Sequence, residues 1–329
     1  MTAALRVVAL GDSLTEGLGD PAPGGGWRGW AALLAEGLAA GPGDGPGLRP
    51  GDGRAPAVGA VDLRNLAVSG ARTRDVRDRQ LPQARSHRPQ LASVVVGVND
   101  TLRASYDINE VARNLDHTLG ALADGGALLL TACLPDPGRM LGLPAPLARP
   151  LARRMRSVNE VVHALGDRYA AVHVHVAEAD WVDDPRMWSV DRLHPSERGH
   201  RSLAGEFHAQ LRARGLATGR APGTEPTAAA PGRGAQAWWM ATKGSRWVLE
   251  RCSDLLPDLL RLAAAEARRG DSRQLDLDAA ERTAAVLREI GVAPAASSRG
   301  QLIPAARTQS TAGRCSFSSA QVSPSSALP

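Results

Sequence analysis

Four short segments carry side chains whose types could perform acyl chemistry on a serine. They are Gly11-Asp12-Ser13-Leu14-Thr15-Glu16-Gly17, Asn65-Leu66-Ala67-Val68-Ser69-Gly70, Gly97-Val98-Asn99-Asp100 and Asp191-Arg192-Leu193-His194-Pro195. A serine that attacks an ester needs a base to take its proton, a group that orients the base, and donors for the oxyanion. Ser13 is a hydroxyl on a turn. His194 is an imidazole that titrates near neutrality. Asp191, three positions earlier, can hold one ring nitrogen as N–H and leave the other free. Donors for the oxyanion can come from the backbone N–H of Ser13, the backbone N–H of Gly70 and the side-chain amide of Asn99. Gly70 has no Cβ, so a substrate can approach its backbone closely.

These residues need a scaffold that gathers them, and the hydrophobic patterning supplies one. Short apolar runs at Arg6–Leu10, Val61–Leu66, Ser93–Val96, Leu128–Cys133 and Val172–Val176 read as strands. Helical spacing covers Trp27–Ala39, Asp75–Arg85, Asn109–Asp124, Ala148–Tyr169 and about Ser196–Arg214. Alternating strands and helices predict an α/β domain with a parallel sheet covered on both faces. Ligands of such sheets gather beyond the carboxyl ends of the strands. Ser13, Gly70, Asn99 and Pro135 all follow predicted strands, so one crevice could collect them. Residues 41–53, with six glycines and three prolines, read as a flexible loop. They lack the Lys-Ser/Thr ending of a phosphate-binding loop.

The four blocks, in this order, resemble those of the SGNH (GDSL-type) hydrolase superfamily over about residues 5–214. The resemblance implies a three-layer α/β/α, flavodoxin-like fold and ester hydrolysis with no metal or organic cofactor. It implies Ser13 as nucleophile, His194 as base, Asp191 as its partner, and Ser13, Gly70 and Asn99 around the oxyanion. The expected function is a serine hydrolase cleaving carboxylic esters of a small molecule, esterase/lipase-like or deacetylase-like, through an acyl-enzyme on Ser13. Acyl transfer or thioester cleavage by the same triad is the alternative.

The rest of the chain is read as appendages. Residues 1–215 form the expected hydrolase domain, 216–236 a Gly/Ala/Pro/Thr-rich linker, 237–295 a C-terminal helical extension and 296–329 a serine-rich disordered tail. In the extension, Trp238–Arg269 shows an apolar stripe interrupted by Pro257. Leu277–Ile290 reads as a second helix, with Asp278 and Glu281 as a capping box. The extension could pack on the hydrolase domain, form a homodimer contact or lie on a membrane surface. The mixed charge of its polar side opposes the last of these.

Composition argues against a nucleic-acid-binding protein, while a non-catalytic interaction module, in which the C-terminal helices recruit a partner, stands as a further alternative to the hydrolase. The net charge is +5, yet residues 1–215 carry 25 basic and 24 acidic side chains, against 14 and 10 in residues 216–329. Most of the excess sits outside the predicted catalytic domain, aromatics make up 3% of the chain, and no basic stripe carries aromatic interleaving. Three widely spaced cysteines, Cys133, Cys252 and Cys315, make no disulfide framework, and a reducing, cytoplasmic setting is expected. The longest apolar run, Ala127–Leu134, is too short for a membrane span. His173 and His175 alternate on a predicted strand and could suit a metal. No third ligand stands at useful spacing in the sequence, so no metal is expected. Cys133 reads as a buried strand residue, and no thiol nucleophile is expected. Asp12 and Asp100 are expected to brace their turns. Trp181 and Trp188 could wall the acyl or alcohol pocket or pack in the core.

Overall fold

Five strands pair through their backbones in the order β2-β1-β3-β4-β5, and every neighbouring pair is parallel. They are β1 (Leu5–Gly11), β2 (Val61–Asn65), β3 (Leu91–Val95), β4 (Leu128–Cys133) and β5 (Val172–His175). The computed structural model describes residues 4–39, 60–217, 219–227, 257, 259–268 and 270–292. These residues fall in one compact unit, Met1–Ala295, and the second unit, Ala296–Pro329, lies outside the described residues. So do the predicted loop at 41–53, most of Trp238–Arg269 and the whole of the predicted tail.

Sequence explains the strand order through burial. β3 is buried at every position, as its unbroken apolar run requires of a central strand. β2 is half-exposed and alternates polar with apolar residues, which suits an edge. The helices are α1 (Ser13–Glu16), α2 (Gly29–Leu38), α3 (Thr73–Asp75), α4 (Leu81–His87), α5 (Val98–Thr101), α6 (Ile108–Asp124), α7 (Pro137–Met140), α8 (Ala145–Arg168), α9 (Glu197–Ala213) and α10 (Ser272–Glu289). A π-helical turn, Val76–Gln80, joins α3 to α4. α2 and α9 pack together and cover β2 and β5, their contact centred on stacked Trp30 and Phe207 with ring centroids 4.9 Å apart. The α3–α4 segment, α6 and α8 contact β1, β4 and β5 and one another, completing the three-layer α/β/α arrangement.

The winding reverses between β1 and β3. The chain leaves β1 for β2 on one side and returns to β3 on the other. Gly11, the last residue of β1, lies opposite Val95, the last of β3. Such a switch point opens a crevice at the strands' carboxyl ends, and the segments carrying Ser13 and Asn99 both emerge there.

The C-terminal helices belong to the same compact unit as the sheet. α10 packs on α8 and α6, and Val286, Leu287 and Val292 join the main core. Arg153, nearly buried on α8, pairs with Glu266 and, at 2.7 Å, with Asp276. Leu259 closes a small second cluster with Leu102 and Leu151. α10 begins five residues before the expected start, because Asp271 caps it by accepting from the Arg273 and Gln274 amides. Asp278 therefore lies inside the helix and caps nothing. Residues 219–227, read from composition as linker, are tied to α9: the Thr227 amide donates to Glu197 Oε1 at 2.7 Å, and Arg201 donates to the Gly223 carbonyl at 3.1 Å. Among the described residues, no helix is long and apolar enough to cross a membrane.

Candidate active site

β1 ends at Gly11, whose φ of +155° and surroundings admit no side chain. A Cβ there would lie 2.3 Å from the Val95 carbonyl oxygen. The chain then turns sharply into α1. Asp12 caps this short helix, its Oδ1 accepting from the Leu14 amide at 3.1 Å. Ser13 is thereby the first helical residue, half-buried at the mouth of the crevice.

The segment 188–195 folds back on itself. Trp188 bridges Pro195, and the Ser189 amide donates to the His194 carbonyl at 2.8 Å. Within this loop Arg192 has φ +56°, a strained conformation for a residue with a side chain. The turn makes Asp191 Oδ1 an acceptor for the Ser189 hydroxyl and the Leu193 and His194 amides, at 2.7, 2.9 and 3.0 Å. Asp191 Oδ2 lies 2.7 Å from His194 Nδ1, and His194 Nε2 lies 2.7 Å from Ser13 Oγ. The three residues thus form one unbroken hydrogen-bonded chain, although 181 positions separate Ser13 from His194. Burial works to raise the Asp191 pKa, but the bond to His194, its charge, the His194 amide and the Ser189 hydroxyl outweigh it and bring the carboxyl down to about 2.

The expected oxyanion donors are placed unequally. The Ser13 amide has no acceptor among the described residues. Gly70 has φ +81° and sits in a turn held at both ends: the Val68 amide donates to the Gly11 carbonyl, and the Ala71 carbonyl accepts from Asn99 Nδ2. It is not part of the cleft lining. Asn99 does line the cleft, on α5 directly beyond β3, yet its amide nitrogen donates to Asp12 Oδ2 at 3.2 Å as well as to the Ala71 carbonyl at 3.1 Å. Both amide hydrogens are therefore engaged.

Asp12 and Asp100 do more than cap their own turns. Burial pushes the pKa of fully enclosed Asp12 up to about 6, partly offset by the Leu14 amide, His194 and Asn99. Asp100, likewise raised to about 6 by burial, accepts from the amide and hydroxyl of Thr73 and so joins the third block to α3.

Several positioning residues escaped sequence reading. Gln80, buried in the π-helical turn, clasps Gly11 from both sides. Its Oε1 accepts from the Gly11 amide at 2.9 Å, and its Nε2 donates to the Gly11 carbonyl at 2.8 Å. His200, buried on α9, accepts from the Trp30 amide at 3.2 Å and bonds the Leu18 carbonyl at 2.9 Å. Burial holds its pKa down to about 4, so it is a neutral bracket. Arg28 bridges Asp20 and Glu197 at 3.0 and 2.7 Å, tying the loop after α1 to α9. The only local signal was the seven-residue helical spacing of His200 from Phe207, and the partners lie some 170 residues away.

The cleft beside Ser13 is narrow, with about 50 Å³ open to water-sized molecules, and mostly apolar. Val98, Leu134, Val176, Trp181 and Trp188 wall it, so both tryptophans face the site. Trp188 is anchored through its indole N–H to the Val182 carbonyl at 2.7 Å. A roomier groove of about 440 Å³ shares Leu134, Pro135, Met140 and Trp188 with it and is lined by Arg139, Arg156, Arg192, Asp136, Asp183 and Asn159.

Cys133 is buried, and burial pushes its thiol up to about 11, which removes it as a nucleophile at neutral pH. The pair His173 and His175, read from sequence as lacking a third ligand, is joined in space by His163 and Cys133. The sequence spacing concealed both, because they arrive from a helix and a neighbouring strand.

A parallel five-stranded sheet between helical layers, with a serine beyond β1 and a histidine after β5, defines an α/β hydrolytic scaffold of the flavodoxin-like kind. Residues 9–202 match the GDSL-like Lipase/Acylhydrolase family, and the chain belongs to that family and is a hydrolase of ester bonds. No curated protein matches the chain. Solved structures similar to it include the acetylxylan esterase Axe2 from Geobacillus stearothermophilus, at 19% identity over 63% of this chain and 94% of that one, with a TM-score of 0.48. Another is LAE5, an alpha/beta hydrolase enzyme from the metagenome of Lake Arreo, Spain, at 21% identity over 66% and 97%, with a TM-score of 0.49. A third is a lipase/acylhydrolase from Enterococcus faecalis, at 18% identity over 64% and 96%, with a TM-score of 0.46.

Proposed function

We propose that the protein cleaves carboxylic esters through an acyl-enzyme on Ser13, with His194 as general base and acid and Asp191 as its orienting partner. The observation that carries this is the continuous Asp191–His194–Ser13 hydrogen-bonded chain, 2.7 Å at each link. Asp191 accepts from His194 Nδ1–H, which leaves Nε2 as the lone-pair nitrogen facing Ser13. As Ser13 Oγ bonds to the acyl carbon, its proton passes to His194 Nε2. The tetrahedral oxyanion collapses, the C–O bond to the alcohol breaks, and His194 returns the proton to the leaving oxygen. Water then repeats the sequence on the acyl-enzyme, releasing the acid and free Ser13.

The free Ser13 amide, on the cleft wall, serves as an oxyanion donor, and the Gly70 amide, in the adjoining turn outside the cleft lining, can join it only if that turn shifts toward the substrate. The Asn99 amide joins them by turning one hydrogen from its longer bond, to Asp12, toward the substrate oxygen. The narrow apolar cleft suits a short acyl chain. The larger polar groove beside it, with arginine, aspartate and asparagine on its walls, suits a hydroxyl-rich alcohol portion.

Hydrolysis of p-nitrophenyl acetate tests the reading, with longer acyl chains as a series. Wild type is expected to favour the shortest chains, and Ser13→Ala to lose about 10³-fold or more in kcat. Ser13→Ala hydrolysing at the wild-type rate overturns the mechanism, and a preference for long chains overturns the assignment of the cleft.

A further inference from the structure

A second constellation of reactive side chains lies at the β4–β5 edge, on residues that the hydrolytic mechanism does not use. The register pairs Thr131 with His173 and Cys133 with His175. Side chains alternate along strands, so these four share one face of the sheet. α8 packs on that face and brings His163 among them. One donor atom from each of Cys133, His163, His173 and His175 lies within 4.8 Å of all the others. The three rings crowd together, with centroids 4.6 Å apart for His163–His173, 4.7 Å for His173–His175 and 5.1 Å for His163–His175.

Hydrogen bonding within this cluster is incomplete in a particular way. The Nε2 atoms of His163 and His173 are buried and have no hydrogen-bond partner among the described residues. A buried polar atom left unpaired is costly, and two in one cluster call for a common partner. His173 Nδ1 lies 2.9 Å from Thr131 Oγ1. With Nδ1–H donating to that hydroxyl, Nε2 carries the lone pair and faces the cluster. A metal-ligating histidine is oriented in the same manner, by a hydrogen bond from its other ring nitrogen.

We propose that Cys133, His163, His173 and His175 form a zinc site, separate from the Ser13 centre. Three imidazole nitrogens and one thiolate are a donor set suited to tetrahedral Zn²⁺. Bond lengths of roughly 2.0–2.3 Å to nitrogen and sulfur would set the donors about 3.3–3.8 Å apart. The cluster therefore has to tighten by about 1 Å at its widest, which side-chain rotation can supply. Exposed His175 gives the ion an entry, and buried Cys133 forms the floor. On binding, the Cys133 S–H bond breaks, its proton goes to solvent, and the sulfur lone pair bonds the metal. Each neutral imidazole contributes one lone pair. The Glu178 carboxylate, which acts electrostatically on both Cys133 and His163, offsets part of the remaining positive charge. Four protein ligands leave no open position, so the site is of the structural kind. It ties the carboxyl ends of β4 and β5 to α8. The residues that follow, Leu134 and Val176, wall the ester cleft, so the ion would stiffen that wall.

The test uses the full chain, stripped with a chelator and titrated with Co²⁺ and then Zn²⁺. The expected result is one ion per chain, tetrahedral Co²⁺ absorption with a thiolate charge-transfer band, and loss of both signals when Zn²⁺ displaces Co²⁺. Zinc is also expected to raise Tm. Cys133→Ser should abolish the charge-transfer band, and the exposed-ligand variant His175→Gln should weaken Zn²⁺ binding at least about tenfold. Circular dichroism establishes that both variants are folded. Substoichiometric zinc with no tetrahedral cobalt spectrum overturns the proposal. So does stoichiometric binding that neither substitution changes.

Discussion

Replacing Asp191 by asparagine separates its two tasks, because its two oxygens do different things. Oδ1 holds the loop by accepting from the Ser189 hydroxyl and the Leu193 and His194 amides, while Oδ2 alone faces His194 Nδ1. An asparagine can keep its carbonyl oxygen in the Oδ1 position, so the loop survives. Its amide group then faces Nδ1 and donates where the carboxylate accepted. His194 must carry its proton on Nε2, pointing at Ser13 Oγ, and cannot take the serine proton. In a serine triad this reversal is worth about 10⁴ in kcat, or ~5.4 kcal/mol at 1.36 kcal/mol per decade. Stability should change less. The Asp191 pKa, about 2 against an ordinary 3.8, corresponds to roughly 2.4 kcal/mol. That contribution is fully present above about pH 4 and fades as pH falls toward 2, since a depressed carboxyl pKa favours the native state only while the group is ionised. The assays are p-nitrophenyl acetate kinetics at pH 7.5 and urea unfolding of both proteins. The expected outcome is a folded variant about 10⁴-fold slower in kcat and roughly 2 kcal/mol less stable. A folded Asp191→Asn with kcat within tenfold of wild type would refute the assignment of His194's tautomer to this carboxylate.

Two further perturbations probe the turn under Ser13. Burial raises the Asp12 pKa to about 6, so the native state favours the protonated form, and roughly 3 kcal/mol of stability present below about pH 4 is lost as pH rises through 6. Asp12→Asn does not titrate, so its unfolding free energy relative to wild type should rise by about that amount between pH 4 and pH 7 in urea titrations. Its kcat should fall, because its amide now opposes the Asn99 amide; a pH-independent stability difference would contradict the buried carboxylate. Gln80→Leu strips the buried Gly11 amide and carbonyl of their partners, and should cost about 2–4 kcal/mol in chemical unfolding. It should also lower kcat with little change in KM, because Ser13 lies two residues beyond the clasp; an unchanged kcat would show that the clasp does not position the nucleophile.

The parallel sheet was legible because period and punctuation are local properties. Leu128–Cys133 is a strand at the expected ends, and the other four strands differ from expectation by one or two residues. The short helices α1, α5 and α7 were not legible: four residues show no periodicity, and a single cap or turn creates each of them. The capping box expected at Asp278 failed because a better cap, Asp271, lay upstream at the edge of a polar stretch. The ionic contacts of α10 and of residues 219–227 with the hydrolase face were equally hidden. Composition marked those segments as linker and extension; the partner of α10, Arg153, lies 123 residues away from Asp276, and Arg201 and Glu197, the partners of residues 219–227, lie on the preceding helix at 22 and 30 residues.

The four blocks by themselves pointed to the type of chemistry, ester hydrolysis, and to the candidate residues for it, because a nucleophile, a base and its partner are chemical identities written in the chain. Only the tertiary structure decided how those residues are employed. It brought Ser13 within 2.7 Å of His194, engaged both hydrogens of Asn99, enclosed Asp12 and placed Gln80 around Gly11. It also turned two alternating histidines into a cluster of four donors by adding His163 from a helix and Cys133 from the adjacent strand. Desolvation and hydrogen-bond partnership depend on which distant segments arrive at the same point, and that is set by sheet order and helix packing rather than by spacing along the sequence.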